Sequence, residues 1–265
     1  MRKGLPNEFM FQLFALLIAV ILVHAIYVAV IRPNATEMLE EQNVMIAEDP
    51  NYVVERSFFI IVKDFEQEAC FVLMLWAFSI MGYKAVAARR ERALLQQNLV
   101  PIADGMRILP EDTREYARQI QSLPDEQRSL FLPRLLLTAL QRFSATGNVQ
   151  DVSATVHTMV ESEAERLESE LSMVRYIAWA IPSIGFIGTV RGIGAALAQA
   201  HRAVEGDISG VTQSLGVAFN STFIALLISI VLMFLVHQLQ ALQERQVFET
   251  ENYADDKLIR HLKAG

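Results

Sequence analysis

Four long apolar stretches alternate with polar stretches along this chain. The apolar stretches cover residues 9–31, 69–88, 176–200 and 211–237. A helix that crosses a bilayer needs about 20 predominantly apolar residues, and each stretch is long enough. The pattern predicts an all-α fold, that of a polytopic membrane protein with four transmembrane helices and a helical domain between the second and the third.

The polar stretches predict the domain boundaries and the orientation. Basic residues cluster at Arg2 and Lys3 and again at Arg89, Arg90 and Arg92. Because basic residues flank the cytoplasmic ends of spans, both clusters place these ends inside, and both chain ends are expected in the cytoplasm. We predict a cytoplasmic N-terminus with the first transmembrane helix (1–31), an acidic outer loop (32–68), the second transmembrane helix (69–88), a cytoplasmic helical domain (89–173), a core of the third and fourth transmembrane helices (174–240) and a cytoplasmic tail (241–265).

The third apolar stretch carries a face of small residues. Pro182, Gly185, Thr189, Gly192 and Ala196 recur at spacings of three and four, so they share one side of a helix. Small residues let two helix backbones approach closely inside a membrane. The face is therefore interpreted either as a helix-packing seam or as a surface that lines a path or grips a partner helix.

The fourth stretch repeats this pattern and adds polar groups. Ala218, Thr222 and Ala225 share a face, and Asn220 and Ser221 make the middle of the stretch polar. The candidate helix-packing residues of the two stretches are Gly185, Gly188, Gly192, Ala196, Ala218 and Ala225.

A charged residue in the third stretch suggests an ion pair. Arg191 lies about 26 Å along the helix from Val174, near the outer surface, by the rise of 1.5 Å per residue. The second stretch begins at the same surface beside Glu66 and Glu68. We predict that Arg191 pairs with one of these glutamates; the alternative is an Arg191 that extends to the lipid headgroups.

Composition excludes several classes of protein. The net charge is -7, the only cysteine is Cys70, and the five histidines lack metal-ligand spacing. No phosphate-binding loop, nucleophile elbow or HExxH motif is present. We therefore expect no enzyme activity, no cofactor, no metal site and no nucleic-acid partner. His24, inside the first stretch, is interpreted as an imidazole bonded to a neighbouring helix or as a functional group.

The segment Pro182–Ile193, PSIGFIGTVRGI, resembles the P-x-x-G-L-x-G-T-V-x-G-I signature of the MotA/TolQ/ExbB proton-channel family. The approach at Glu163–Leu171 and the run Ala218–Thr222 are also similar to this family. The resemblance covers roughly Val152–Gln240. The signature is closest to TolQ, whereas the span count is closer to MotA, so the subfamily stays open.

The resemblance implies a homopentamer in the bacterial inner membrane, embedded in lipid around a dimer of a single-span ExbD/TolR/MotB-like partner that carries an intramembrane aspartate. Such a stator is a molecular motor, in which ion flow, more often of protons than of sodium, drives protein transport or other work in the periplasm or cell envelope. On this basis the 32–68 loop is periplasmic, and Pro182, Thr189, Thr222, Asn220 and Ser221 line the ion pathway.

One position departs from the family pattern. ExbB-like members carry a glutamate five residues before the threonine of the last span, where this chain has Val217, and neither the third nor the fourth stretch contains an acidic residue. Because a proton relay needs a titratable group, we expect the carboxylate to come from the partner and the isolated chain not to conduct. The alternative is a non-conducting membrane scaffold of an envelope or transport complex.

Overall fold

The computed structural model describes residues 7–48, 52, 57–102 and 106–263. Over this part of the chain the fold is all-α without a β-strand. Four helical stretches are long and apolar enough to cross a membrane: Glu8–Ile46, Phe65–Leu95, Val149–Ala198 and Ser209–His261. The prediction of an all-α protein with four membrane-spanning helices is confirmed.

The chain divides into two compact units. Unit 1 comprises Met1–Gly82 and Met173–Val236, and unit 2 comprises Tyr83–Ser172 and His237–Gly265. Unit 1 therefore holds most of the apolar stretches, and unit 2 holds most of the polar residues between the second and third stretches.

Unit 1 begins with a helix that changes its winding along its length. Helix α1 (Asn7–Ile26) leads into a π-helical segment (Tyr27–Ile31) and then into α2 (Arg32–Glu48). A short helix α3 (Phe58–Val62) precedes the long α4 (Phe65–Leu95). A helix of these apolar residues satisfies its own backbone hydrogen bonds, which a bilayer requires.

Helix α2 occupies part of the region predicted as an acidic loop over 32–68. Its sequence, RPNATEMLEEQNVMIAE, is rich in glutamate, methionine and alanine, which favour helix. The acidic segment predicted over 32–68 is therefore partly helical, and its periplasmic placement stays a prediction. Residues 49–51 and 53–56 of that loop, and Arg2 and Lys3, lie outside the described residues.

Unit 2 is built around α7 (Phe131–Thr146), with α5 (Thr113–Gln121), α6 (Asp125–Arg128) and α8 (Val149–Glu170). Helix α7 is strongly amphipathic and turns one apolar side to the core. The buried core residues of α7 are Phe131, Leu132, Leu135, Leu136, Ala139, Leu140 and Phe143.

The turn between α7 and α8 is set by two residues. Gly147 has φ 62°, a left-handed conformation that favours glycine, and its N–H donates to the Phe143 carbonyl at 2.8 Å. The Asn148 side chain then accepts from the Gln150 N–H at 2.9 Å and caps α8. The Thr-Gly-Asn sequence therefore ends one helix and begins the next.

The last helices are α9 (Ser172–Ala198), α10 (Ala200–Val204) and α11 (Ser209–Lys257). The end of α11 belongs to unit 2, where Val247 and Ala254 of α11 and Leu258 just after it are buried in the core. Most of the tail predicted over 241–265 is therefore the end of α11, and its cytoplasmic placement stays a prediction. Val247 and Ala254 are seven residues apart and lie on one side of the helix, which packs on the unit 2 core.

Candidate functional site

Helices α9 and α11 pack closely in unit 1 through glycine. A Cβ atom on Gly192 would lie 2.7 Å from the Ala218 nitrogen and 2.7 Å from the Ser214 carbonyl oxygen. A Cβ on Gly185 would lie 3.0 Å from the Ser221 carbonyl oxygen. Because the backbones meet here, no larger residue fits. All six predicted packing residues are buried: Gly185, Gly188, Gly192, Ala196, Ala218 and Ala225.

The two predicted threonines meet in the middle of this packing. The Thr189 and Thr222 hydroxyls are hydrogen-bonded to each other across the helices. Thr189 also donates to the Ala218 carbonyl at 3.0 Å, and Thr222 donates to the Gly185 carbonyl at 3.2 Å. Each hydroxyl thus reaches the backbone of the opposite helix, and the pair is part of the α9–α11 contact.

The hydroxyl pair has more contacts than protons. Thr189 lies 3.4 Å from the Gly185 carbonyl oxygen as well, so the pair makes four oxygen–oxygen contacts, one between the two hydroxyls and three to backbone carbonyls. A hydroxyl supplies one proton and accepts others, so two protons serve these contacts. Not every contact can hold a proton at the same moment.

Pro182 lies within α9, and a side chain of α11 compensates for it. A proline has no N–H, so the carbonyl four residues earlier, that of Ala178, lacks its helical donor. The Ser229 hydroxyl donates to this carbonyl at 3.0 Å. Hydroxyls of neighbouring helices commonly satisfy backbone groups that proline frees inside a membrane. Pro182 is half-buried, and the helix continues through it.

Asn220 and Ser221 do not join the threonine pair. Successive helical residues point about 100° apart, so residues 220, 221 and 222 face three directions. Ser221 is 1% exposed and accepts from the Gln67 amide of α4 at 3.4 Å. Asn220 is half-buried. Of these three polar residues, the structure brings only Thr222 against Thr189.

The two glutamates that were predicted as partners of Arg191 have different partners in the structure. The Arg191 guanidinium lies 2.7 Å from the Glu66 carboxylate and 3.8 Å from that of Asp64. Glu68 instead contacts Arg32 and lies 2.7 Å from Nδ1 of His24. Arg191 therefore has Glu66 as its close partner, whereas Glu68 binds the basic groups of the first helix. His24 is bonded to a neighbouring helix, one of the two readings of this residue.

The π-helical segment explains why His24 and Arg32 share a partner. In a regular α-helix, eight residues turn the chain by about 80° beyond two full turns, so these side chains would diverge. A π-helical turn absorbs one extra residue, which reduces the difference to about 20°. The Arg32 N–H accordingly donates to the carbonyl of Tyr27, five residues back. Pro33 follows directly, and its ring disfavours a regular turn at this point.

Sequence reasoning missed three contacts in unit 1: Gln67 with Ser221, Ser229 with the Ala178 carbonyl, and Glu68 with His24 and Arg32. The Ser229 contact was predictable from the sequence, because a proline inside a span implies an unsatisfied carbonyl and a nearby hydroxyl donor. The contacts of Glu68 were not predictable from the sequence, because they depend on a change of helical winding.

The threonine pair lies in the part of the chain that matches a known protein family. Residues 127–252 match the model of the MotA/TolQ/ExbB proton channel family. The matched range contains Pro182, Thr189, Thr222 and every predicted packing residue. No curated protein and no solved structure matches the chain. With its four apolar helices, the chain is a multi-pass membrane protein.

Proposed function

We propose, from the premise that residues 127–252 are a MotA/TolQ/ExbB proton channel family domain, that this protein is a subunit of an ion-driven membrane motor. The observation that carries the proposal is the Thr189–Thr222 hydroxyl pair between α9 and α11. Hydroxyls donate and accept protons without holding a charge, so they suit a path along which a proton passes. The proposed ion is the proton rather than sodium.

The proposed motor needs a carboxylate from outside α9 and α11. The apolar parts of both helices contain no acidic residue, and Val217 lies one turn before Ser221, whose hydroxyl donates to its carbonyl. We propose that a dimer of a single-span ExbD/TolR/MotB-like partner supplies an intramembrane aspartate. This chain would surround it as a homopentamer and drive work in the periplasm or cell envelope.

The proposed location is the bacterial inner membrane, with both chain ends in the cytoplasm. Arg89, Arg90 and Arg92 end the apolar part of α4, and basic residues flank the cytoplasmic ends of spans. Residues 89–173 would then be cytoplasmic, and the acidic segment before α4 would be periplasmic.

Proton flux into lipid vesicles tests the function. Vesicles would hold the full-length chain with or without its co-encoded single-span partner. We expect flux only with the partner, and loss of that flux in Thr189→Val and Thr222→Val. Thr212→Val is the matched control, because Thr212 is exposed and its hydroxyl donates locally to the carbonyl of Ile208, just before α11, at 2.8 Å.

The alternative function is a non-conducting membrane scaffold of an envelope or transport complex. Val217 at the position of the family's glutamate favours this alternative. Absence of flux from a complex shown to be assembled would replace the motor with the scaffold. Robust flux from the isolated chain would contradict the requirement for a carboxylate in trans.

A further inference from the structure

Two buried oxygen atoms at the start of α4 lack hydrogen-bond partners. Among the described residues, nothing bonds to Oδ2 of Asp64 or to Oε1 of Gln67. Gln67 is 0% exposed. A buried polar group left unsatisfied costs about 1–3 kcal/mol, and natural proteins commonly satisfy it with a water molecule or an ion. These two oxygen atoms therefore indicate that a water molecule or an ion, rather than a described side chain, lies next to them.

Asp64 is the carboxylate of this region that is least committed to an ion pair. Glu66 has Arg191 at 2.7 Å, and Glu68 has His24 and Arg32. The Asp64 carboxylate lies 3.8 Å from both the Lys63 ammonium and the Arg191 guanidinium. Its negative charge is therefore only loosely balanced.

The charged groups around Asp64 act in opposite directions on its proton affinity. Burial raises the pKa of Asp64 above its ordinary value, and Lys63 and Arg191 lower it. The Glu66 charge adds to the increase, and Arg32 adds to the decrease. The groups come from the segment before α4, from α9, from α4 and from the start of α2. Burial prevails, so Asp64 binds a proton at higher pH than an exposed aspartate does.

The start of α4 lies against Ser221 of α11 and Gly188 of α9. The Gln67 amide contacts the Ser221 hydroxyl, and a Cβ on Gly188 would lie 2.6 Å from that hydroxyl and 3.1 Å from Cγ of Glu66. Gly188 and Ser221 immediately precede Thr189 and Thr222. The start of α4 thus meets α9 and α11 one residue, or about 1.5 Å of helix rise, before the threonines and on the side of α11 that Ser221 faces.

We propose that Asp64 is a proton-binding residue of the ion pathway and that, with Gln67, it holds a water molecule at the start of α4. The Asp64 carboxylate takes a proton from a hydronium ion, giving a neutral carboxylic acid and water, and it later returns the proton to water. No other group changes its charge. The proposal rests on the proposed ion-conducting function and adds a carboxylate of this chain to the one expected from the partner.

Infrared difference spectroscopy of the full-length protein in lipid vesicles tests the binding of the proton without any need for flux. We expect a protonated carboxyl band that titrates above the pH range of exposed aspartates, disappears in Asp64→Asn and persists in Glu205→Gln. Glu205 is an exposed carboxylate of the loop between α10 and α11. Asp64→Glu, which keeps a carboxyl group, should retain a shifted band. Absence of this band from the wild type would overturn the proposal.

Proton flux with the partner tests the role of Asp64 in transport. We expect Asp64→Asn to lower the flux by about tenfold or more, as for loss of a positioned proton acceptor, and to remove part of its pH dependence. Glu205→Gln should leave both unchanged, and Asp64→Glu should restore flux. If the wild type conducts and Asp64→Asn has the same flux and pH profile, the proposal is wrong. If the assembled wild type does not conduct, the motor function fails, and the infrared titration still decides whether Asp64 binds a proton.

Discussion

At the scale of single residues, the interior of unit 1 depends on polar side chains that reach from one helix to the next. Ser229 satisfies the carbonyl that Pro182 leaves without a donor, and the threonine hydroxyls bond to the opposite backbones. Glu66 binds Arg191, whereas Glu68 binds His24 and Arg32. Unpaired polar groups are costly in an apolar environment, so each contact fixes a neighbour as well as satisfying a group.

The Arg191–Glu66 pair should be exchangeable. Glu66 is 11% exposed and Arg191 is 48% exposed, so the pair lies between the surface and buried extremes. We expect Arg191→Glu or Glu66→Arg alone to destabilise the protein by about 1–2 kcal/mol, because each places like charges together. The double variant should recover most of this loss in thermal unfolding of the purified protein.

The control exchange combines Arg191→Glu with Glu68→Arg. It should not restore stability, because Glu68 faces His24 and Arg32 rather than Arg191. Equal recovery in both double variants would show that the pairing in the structure does not determine stability.

At the scale of helices, the glycines of α9 set its distance from α11. A Cβ on Gly192 would approach two backbone atoms of α11 at 2.7 Å, and backbone atoms cannot rotate away as a flexible side chain can. The hydroxyl bonds between the helices require this separation. Packing and hydrogen bonding therefore support the same arrangement.

Substitution of Gly192 should separate these helices. We expect Gly192→Ala to destabilise the protein by about 1–3 kcal/mol, the usual cost of overpacking, and to lower proton flux with the partner. Gly194→Ala, two residues further along α9, is the matched control, because nothing lies within 4 Å of its added Cβ. Thermal unfolding and the vesicle assay measure both effects, and equal stability of the two variants would contradict the close approach.

The membrane-spanning helices were predictable from the sequence, whereas their ends and winding were not. Apolar length identified the four spans, and small-residue spacing identified the buried face of α9. The sequence did not predict helix α2, because its residues are too polar to resemble a span. It also did not predict that the end of α11 packs in unit 2, because its partners there are distant in sequence. The sequence limited the predicted partner of Arg191 to Glu66 or Glu68. The partners of Glu68 itself depend on the π-helical segment, which hydropathy does not reveal.

At the scale of the whole molecule, the two units differ in what stabilises them. Unit 2 has a buried apolar core centred on α7, as a water-soluble domain does. Unit 1 has long apolar helices joined by small residues and hydrogen bonds, and many of its large apolar side chains are exposed, among them Phe186, Phe223 and Ile230. Lipid would cover such side chains in a membrane.

Cysteine labelling tests the proposed orientation. Cys70 is 0% exposed and should not react, so Glu205→Cys and Glu115→Cys each supply one reactive thiol at an exposed position. In spheroplasts, we expect a membrane-impermeant maleimide to label residue 205 directly and residue 115 only after permeabilisation. The reverse pattern would invert the topology deduced from the basic clusters.

The threonine pair has fewer protons than hydrogen-bond contacts. Ice is similar, because it has more allowed hydrogen positions than hydrogen atoms. The two hydroxyl protons can be distributed over four contacts in more than one way while every heavy atom stays in place. A rearrangement of this kind carries residual entropy and needs no helix movement. The orientation of the O–H bonds at Thr189 and Thr222 is thus a degree of freedom that the packed backbone of α9 and α11 leaves unspecified.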